Sequence, residues 1–296
     1  MKKYILLLLI STSLFAQSAG ETGLSFLKIG FGARNIALGD IGVVSANDVT
    51  ALNYNPALLS NYKTQQISLS HNEWMQDVRS ELLGASFSMF NIPFAVGINT
   101  TQISNIEIRT RPGIAQSTFN ANYFFVSFST GFKIADKLSV GATIKYLSEN
   151  LLTDQANGTG FDFGLYYKNV IPNLNFGASI RNLGSMNALR NQETQLPVDL
   201  RIGADYIYEF SKINSSLYFA GGFQKYKSSD SHLNFGTEFL YKHQFAFRIG
   251  YMSGYDSKSI TTGIGLKLNH FNFDYSFTPQ KYELGSSHII SIMFTF

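Results

Sequence analysis

The chain contains no cysteine, which excludes disulfides, thiolate metal sites and cysteine nucleophiles together. It is poor in charge: Asp, Glu, Lys and Arg make up 15% of the residues, against roughly a quarter in soluble domains. The formal net charge is +3, and two of the positive charges are Lys2 and Lys3. That balance gives no electrostatic reason to expect nucleic acid as a partner. Beyond the first residues no apolar run is long enough for a membrane-spanning helix, which needs about 20 residues. His71, His232, His243, His270 and His288 lack metal-ligand spacing. His243 and His270 read as solvated turn residues. No glycine-rich phosphate loop opens a helix and no G-x-S-x-G elbow occurs. The sequence thus implies no metal, no cofactor and no catalytic residue, and it reads as a non-enzyme.

What is abundant is aromatic side chains, 26 Phe and 16 Tyr in 296 residues. Many rings with few charges suit a protein that faces both lipid and water. The first residues read as a cleaved secretory signal over 1–16. Lys2 and Lys3 form its basic start, Tyr4 to Ile10 its apolar stretch, and Leu14-Phe15-Ala16-Gln17 its cleavage region. A transmembrane anchor is the alternative, for which the apolar stretch is too short.

From about residue 65 onward, apolar and small polar residues alternate with period two. Phe245, Phe247, Ile249 and Tyr251 share one face, for example, and Val198, Leu200, Ile202, Ala204 and Tyr206 another. The pattern predicts strands at 65–71, 81–90, 93–103, 122–133, 138–148, 159–168, 173–182, 198–209, 215–226, 231–242, 245–253, 259–268, 271–278 and 287–296. Lengths near ten suit tilted strands that cross a bilayer. The connections alternate short and long, the long ones being 72–80, 104–121, 149–158, 183–197, 227–230, 254–258 and 279–286. Short turns on one rim and long loops on the other are the layout of an outer-membrane barrel. The expected fold is therefore all-β, a transmembrane barrel of about fourteen antiparallel strands over 65–296. Both termini are expected on the short-turn, periplasmic rim. A soluble β-sandwich is the alternative that alternation alone leaves open. Asp162, Asp199, Asp205 and Asp274 fall on the face assigned inward, with Lys145, Arg181, Arg201 and Lys267. Many glycines fall there too, where they relieve curvature or crowding.

Residues 17–64 do not alternate. A segment of this size cannot fold alone, so it is expected as a hatch inside the barrel or at its mouth. Asn47 or Asp48 would cap a short helix through Leu52. The segment holds Phe31-Gly32-Ala33-Arg34-Asn35-Ile36-Ala37-Leu38-Gly39-Asp40 and then Tyr54-Asn55-Pro56-Ala57. These blocks resemble the opening of the PorV/PorQ-type outer-membrane proteins of Bacteroidota, which are related to the FadL-like long-chain fatty-acid transporters. Ser68 to His71, Trp74, Asp77 to Arg79 and Leu138 to Tyr146 resemble later blocks. The resemblance implies a fourteen-stranded barrel with a luminal hatch, and for some members an association with type IX secretion proteins. It marks Arg34, Asn35, Gly39, Asp40, Asn55, Pro56 and Ala57 as the hatch motif. Within it, Pro56 fixes one backbone angle and Asn55 offers both donors and an acceptor. The turn reads either as a lock to the wall or as a gate hinge.

The chain ends on Ile290, Ile292, Phe294 and Phe296 in alternation. Phe294 and Phe296 resemble the terminal signal by which barrel-assembly machinery recognises outer-membrane proteins. The expected partners are thus outer-membrane lipid, that machinery, and either type IX secretion proteins or a hydrophobic ligand.

Overall fold

The computed structural model describes residues 23–62, 64–227 and 231–296. The expected signal over 1–16 lies outside them. Strands are β1 Gln66–Glu73, β2 Val78–Met89, β3 Ile92–Ile108, β4 Ser117–Ala135, β5 Leu138–Leu151, β6 Asp154–Ile171 and β7 Leu174–Met186. A small hairpin follows, β8 Ala188–Leu189 with β9 Gln192–Glu193. Then come β10 Asp199–Phe210, β11 Ser215–Tyr226, β12 Ser231–Tyr241, β13 Phe245–Ser253, β14 Ile260–Leu268, β15 Phe271–Pro279 and β16 Ser286–Thr295. All but the hairpin form one closed antiparallel barrel of fourteen strands. The seam joins β1 to β16, with Leu69 opposite Ile292 and Gln66 opposite Thr295. Closure leaves no unpaired ladder edge, as lipid requires.

Period-two patterning becomes two chemically different walls. On β13, Phe245, Phe247, Ile249 and Tyr251 are exposed on the outside, while Ala246, Arg248 and Met252 are buried within. On β4, outward Phe128, Val126 and Phe124 give way to Asn122, Asn120 and Thr118 toward the long-loop rim. The apolar band stops there. Strands β3 to β7 run for 13–19 residues, whereas β12 to β16 have 9–11. One side of the barrel therefore stands taller.

That height corrects two expectations about loops. The connection expected over 149–158 is a two-residue turn, because β5 and β6 continue pairing to Leu151 and Asp154. The loop expected over 104–121 shortens to 109–116, because β3 and β4 pair past a bulge between Ile103 and Ile106. Above the apolar band a strand has no reason to keep an apolar outer face, so alternation fades while hydrogen bonding continues.

The segment before β1 lies inside the barrel. Gly23 donates to Gln195 O at 3.1 Å, in the loop between β9 and β10 on the long-loop rim. Ser60 Oγ meets Ser139 Oγ at 2.7 Å, near the start of β5 on the opposite rim. The segment therefore runs the length of the lumen from the long-loop mouth down. The expectation that both termini lie at the short-turn rim holds for Phe296, whose N–H reaches Gln65 O. The start of β1 lies there too, Gln66 pairing with Thr295, whereas Gly23 of the hatch sits at the other mouth. Three short helices turn within it, α1 Ala33–Ala37, α2 Gly42–Ser45 and α3 Ala51–Tyr54. The expected cap is also displaced. Asp48 accepts from Thr50 N at 2.9 Å and from the Thr50 hydroxyl, so α3 starts only at Ala51 and ends at Tyr54.

Glycine makes room for this segment. Gly84, Gly97, Gly131, Gly141, Gly164, Gly177, Gly203, Gly222, Gly236, Gly250 and Gly263 lie one on each of β2–β7 and β10–β14, each facing a hatch atom. Several stand directly opposite one another across the ladder, as in Gly131–Gly141–Gly164 and Gly177–Gly203–Gly222. A Cβ on Gly164 would sit 2.0 Å from Asn55 Oδ1, and one on Gly141 would sit 2.4 Å from Ala57 N. The inward glycines are thus the contact belt of the hatch as well as a relief of curvature.

Candidate functional site

The hatch motif is tied to the wall at several levels. Asn55 Nδ2 donates to Val43 O at 2.9 Å and to Leu165 O of β6 at 3.0 Å, while its Oδ1 accepts from Ala57 N at 3.2 Å. Pro56 and Ala57 press their backbone on Gly131 and Gly141. Asn35 stays within the hatch, donating to Thr50 Oγ1 at 2.7 Å and accepting from Ser45 Oγ at 3.0 Å. Gly39 has φ +78, and a Cβ there would meet Phe235 O at 2.7 Å.

Two charged residues of the motif reach the wall on opposite sides of the glycine belt. Toward the short turns, Arg34 makes a two-pronged pair with Glu238, which also accepts from Arg248 at 2.5 Å. Arg248 continues to Asp274 at 2.6 Å. Toward the long loops, Asp40 Oδ2 accepts from Arg201 at 3.2 Å, and Arg201 pairs with Asp199 at 2.8 Å. Arg181 takes both oxygens of Asp199 at 2.9 and 2.8 Å. A β-bulge explains how Arg181 gets there. The β6–β7 register shifts between Phe161 and Phe163, and Asn182 takes φ 59, so Arg181 and Asn182 both point inward. Asn182 Oδ1 then accepts from Lys145, whose Nζ lies 2.6 Å from Asp162. Tyr54 is enclosed by this group, donating to Asp40 at 2.5 Å under the guanidinium groups of Arg181 and Arg201. Burial, with Asp40 alongside, pushes its phenol well above the ordinary value, so it remains a donor.

The acids and bases assigned inward from the sequence are therefore structural ion pairs, apart from Asp205, which accepts from Asn175 Nδ2 at 3.1 Å, and Lys267, which is exposed toward the short-turn mouth. The motif residues do not converge on one ligand site. Phe294 and Phe296 are remote from them, packed edge to face at 4.8 Å on the short-turn rim.

Among the described residues, a cavity opens at the long-loop mouth, above the hatch. Its volume is about 450 Å³. Phe26 and Lys28 of the hatch, Trp74 of the β1–β2 loop, Tyr226 of β11, His232 of β12, and Tyr255 and Lys258 of the β13–β14 loop line it. His232 is buried and stacks on Tyr255 at 3.8 Å. Lys258 Nζ lies 4.9 Å from the Trp74 ring and 4.6 Å from Tyr255, and Lys28 Nζ lies 5.3 Å from Tyr226. Burial lowers the pKa of both lysines. These residues come from distant segments and share no spacing, so sequence reading missed them. The one signal available was the single tryptophan of the chain, placed in a loop.

A family model described as the type IX secretion system protein PorV matches residues 15–221, which span the hatch and the wall into β11. The chain belongs to the PorV family. Among solved structures, the PorV-family barrel resembles the Pseudomonas putida toluene transporter TodX, with TM-score 0.62 and 14% identity over 90% of this chain and 97% of that one. It resembles the monoaromatic hydrocarbon channel CymD at 0.60 and 15%, over 90% and 97%. A Pseudomonas aeruginosa FadL homologue matches at 0.50 and 12%, over 88% and 98%. At such identities the likeness is one of fold. Comparison with curated proteins finds no match. With its closed barrel, apolar outer band and family, this is an outer-membrane protein whose band contacts lipid.

Proposed function

We propose that this PorV-family barrel is a non-enzymatic component or satellite of type IX protein secretion. The family match carries the reading. The internal architecture supports it. The hatch is fastened to the wall by ion pairs and a glycine belt, and the taller side of the barrel offers a rigid platform to a protein partner. Purification of the tagged chain from native membranes tests this. Type IX secretion proteins should co-purify, and shortening loops 109–116 and 187–198 should release them while the barrel stays folded. Recovery of the chain alone from gently solubilised membranes would sink the reading.

The mouth cavity favours a second reading, a carrier for hydrophobic small molecules with the hatch as gate. Under it, Asn55→Ala with Pro56→Ala changes uptake of such compounds in a folded barrel. Under the secretion reading the same change leaves uptake alone.

A further inference from the structure

We infer that the mouth cavity binds a compact organic anion, a ring-sized apolar body bearing one carboxylate, with the charge at Lys258 and Lys28 and the body against Trp74, Tyr255 and Phe26. The inference concerns the cavity behind the second reading and deepens it by naming what would be held. Binding is measured without transport, so failure of the two is distinguishable.

The first observation is an imbalance of charge. Every guanidinium or ammonium group in the hatch–wall network below has a carboxylate partner: Arg34, Lys145, Arg181, Arg201 and Arg248. Among the described residues, Lys28 and Lys258 form no such pair and have aromatic faces instead. Asp256 also lines the cavity and pairs with neither. Asp40 acts on Lys258 only through its field, being committed to Arg201 and Tyr54. A ring face stabilises an ammonium less than a carboxylate does. Burial lowers the pKa of both lysines, and at Lys258 the field of Asp40 opposes that shift.

The second observation is shape. About 450 Å³ lies within the range of small-ligand pockets, and the wall carries six ring-bearing side chains, Phe26, Trp74, Tyr123, Tyr226, His232 and Tyr255. Two ammonium groups exclude a cation. A neutral hydrocarbon would fill the apolar part and leave both charges uncompensated. An anion with a flat apolar body satisfies both.

Trp74 is the only tryptophan, so its fluorescence reports this cavity alone. The full chain in zwitterionic nanodiscs is titrated with 4-tert-butylbenzoate and with its methyl ester, with calorimetry in parallel to detect binding that leaves Trp74 silent. The acid should bind saturably and about tenfold or more tighter than the ester, the effect of one charge-assisted hydrogen bond. Lys258→Gln and Lys28→Gln should each remove much of that preference, and Lys258→Arg should retain it. Heat-modifiability verifies that each variant is folded. Equal affinity for acid and ester, unchanged acid affinity in the folded double variant, or no binding by either method overturns the inference. Tighter binding of palmitate than of the benzoate overturns its compact-body part.

Discussion

Arg34 of the hatch and Glu238 of β12 meet across the hatch–wall boundary through two parallel hydrogen bonds, both 3.0 Å. Glu238 is the shared member, because Arg248 also binds it. Glu238→Ala therefore deprives two buried cations of a partner, whereas Arg34→Ala leaves Glu238 paired. Removing the shared partner should cost about 3–5 kcal/mol, the range for a broken buried pair, and Arg34→Ala clearly less. Thermal unfolding in detergent, followed by heat-modifiability, should rank them so. The reverse ranking would show that Arg34 does not depend on Glu238.

The glycine belt makes a prediction about space. A Cβ at position 141 meets hatch backbone, which cannot swing aside as a side chain can. Gly141→Ala should push the hatch off the wall at a cost of about 1–3 kcal/mol, visible as faster hydrogen exchange over 55–60. Gly221→Ala is the control, since it adds its methyl outside, no closer than 3.3 Å to the Phe235 ring. Equal exchange in both variants would show that the belt does not fasten the hatch.

All fourteen barrel strands are legible as period-two runs, because lipid outside and water or hatch inside demand opposite chemistry on alternate residues. Legibility ends where that demand ends. Glu149, Asn150 and Leu151 of β5 continue the ladder above the apolar band and read as loop. The Arg181–Asn182 bulge is equally silent, since two successive inward side chains look like a break in the pattern. The hatch motif is recognisable by resemblance, but its partners Glu238, Arg201 and Leu165 come from strands whose mutual positions only closure sets. The mouth cavity is assembled from loops and has no periodicity at all.

The rim assignment predicts labelling. Tags inserted after Ile114 or Arg190 should be accessible on intact cells, and tags after Asp136 or His243 should not be. The first pair lies on the long-loop rim and the second on the short-turn rim. Uniform labelling would reverse or invalidate the orientation.

Phe296 extends the aromatic cluster of Phe294 and Phe271, whose rings stand 4.8 Å apart. Phe296 itself is 61% exposed, so little packing is lost when it is removed. Deleting it, or Phe296→Asp, should lower the amount of folded barrel in the outer membrane while the molecules that do insert keep their thermal stability. Unchanged membrane levels would rule out a role in insertion.

The path of the hatch has a consequence for the order of events in time. Its chain passes from the long-loop mouth to the short-turn rim and there becomes β1, the strand that seals against β16. Against a finished ring, Arg34 and Tyr54 would have to be drawn lengthwise past a close-fitting collar of glycines. The wall instead has its easiest route in wrapping around a segment already waiting, with the β1–β16 seam closing over it. Cargo and container are one polypeptide, and the hatch precedes in the chain the wall that encloses it.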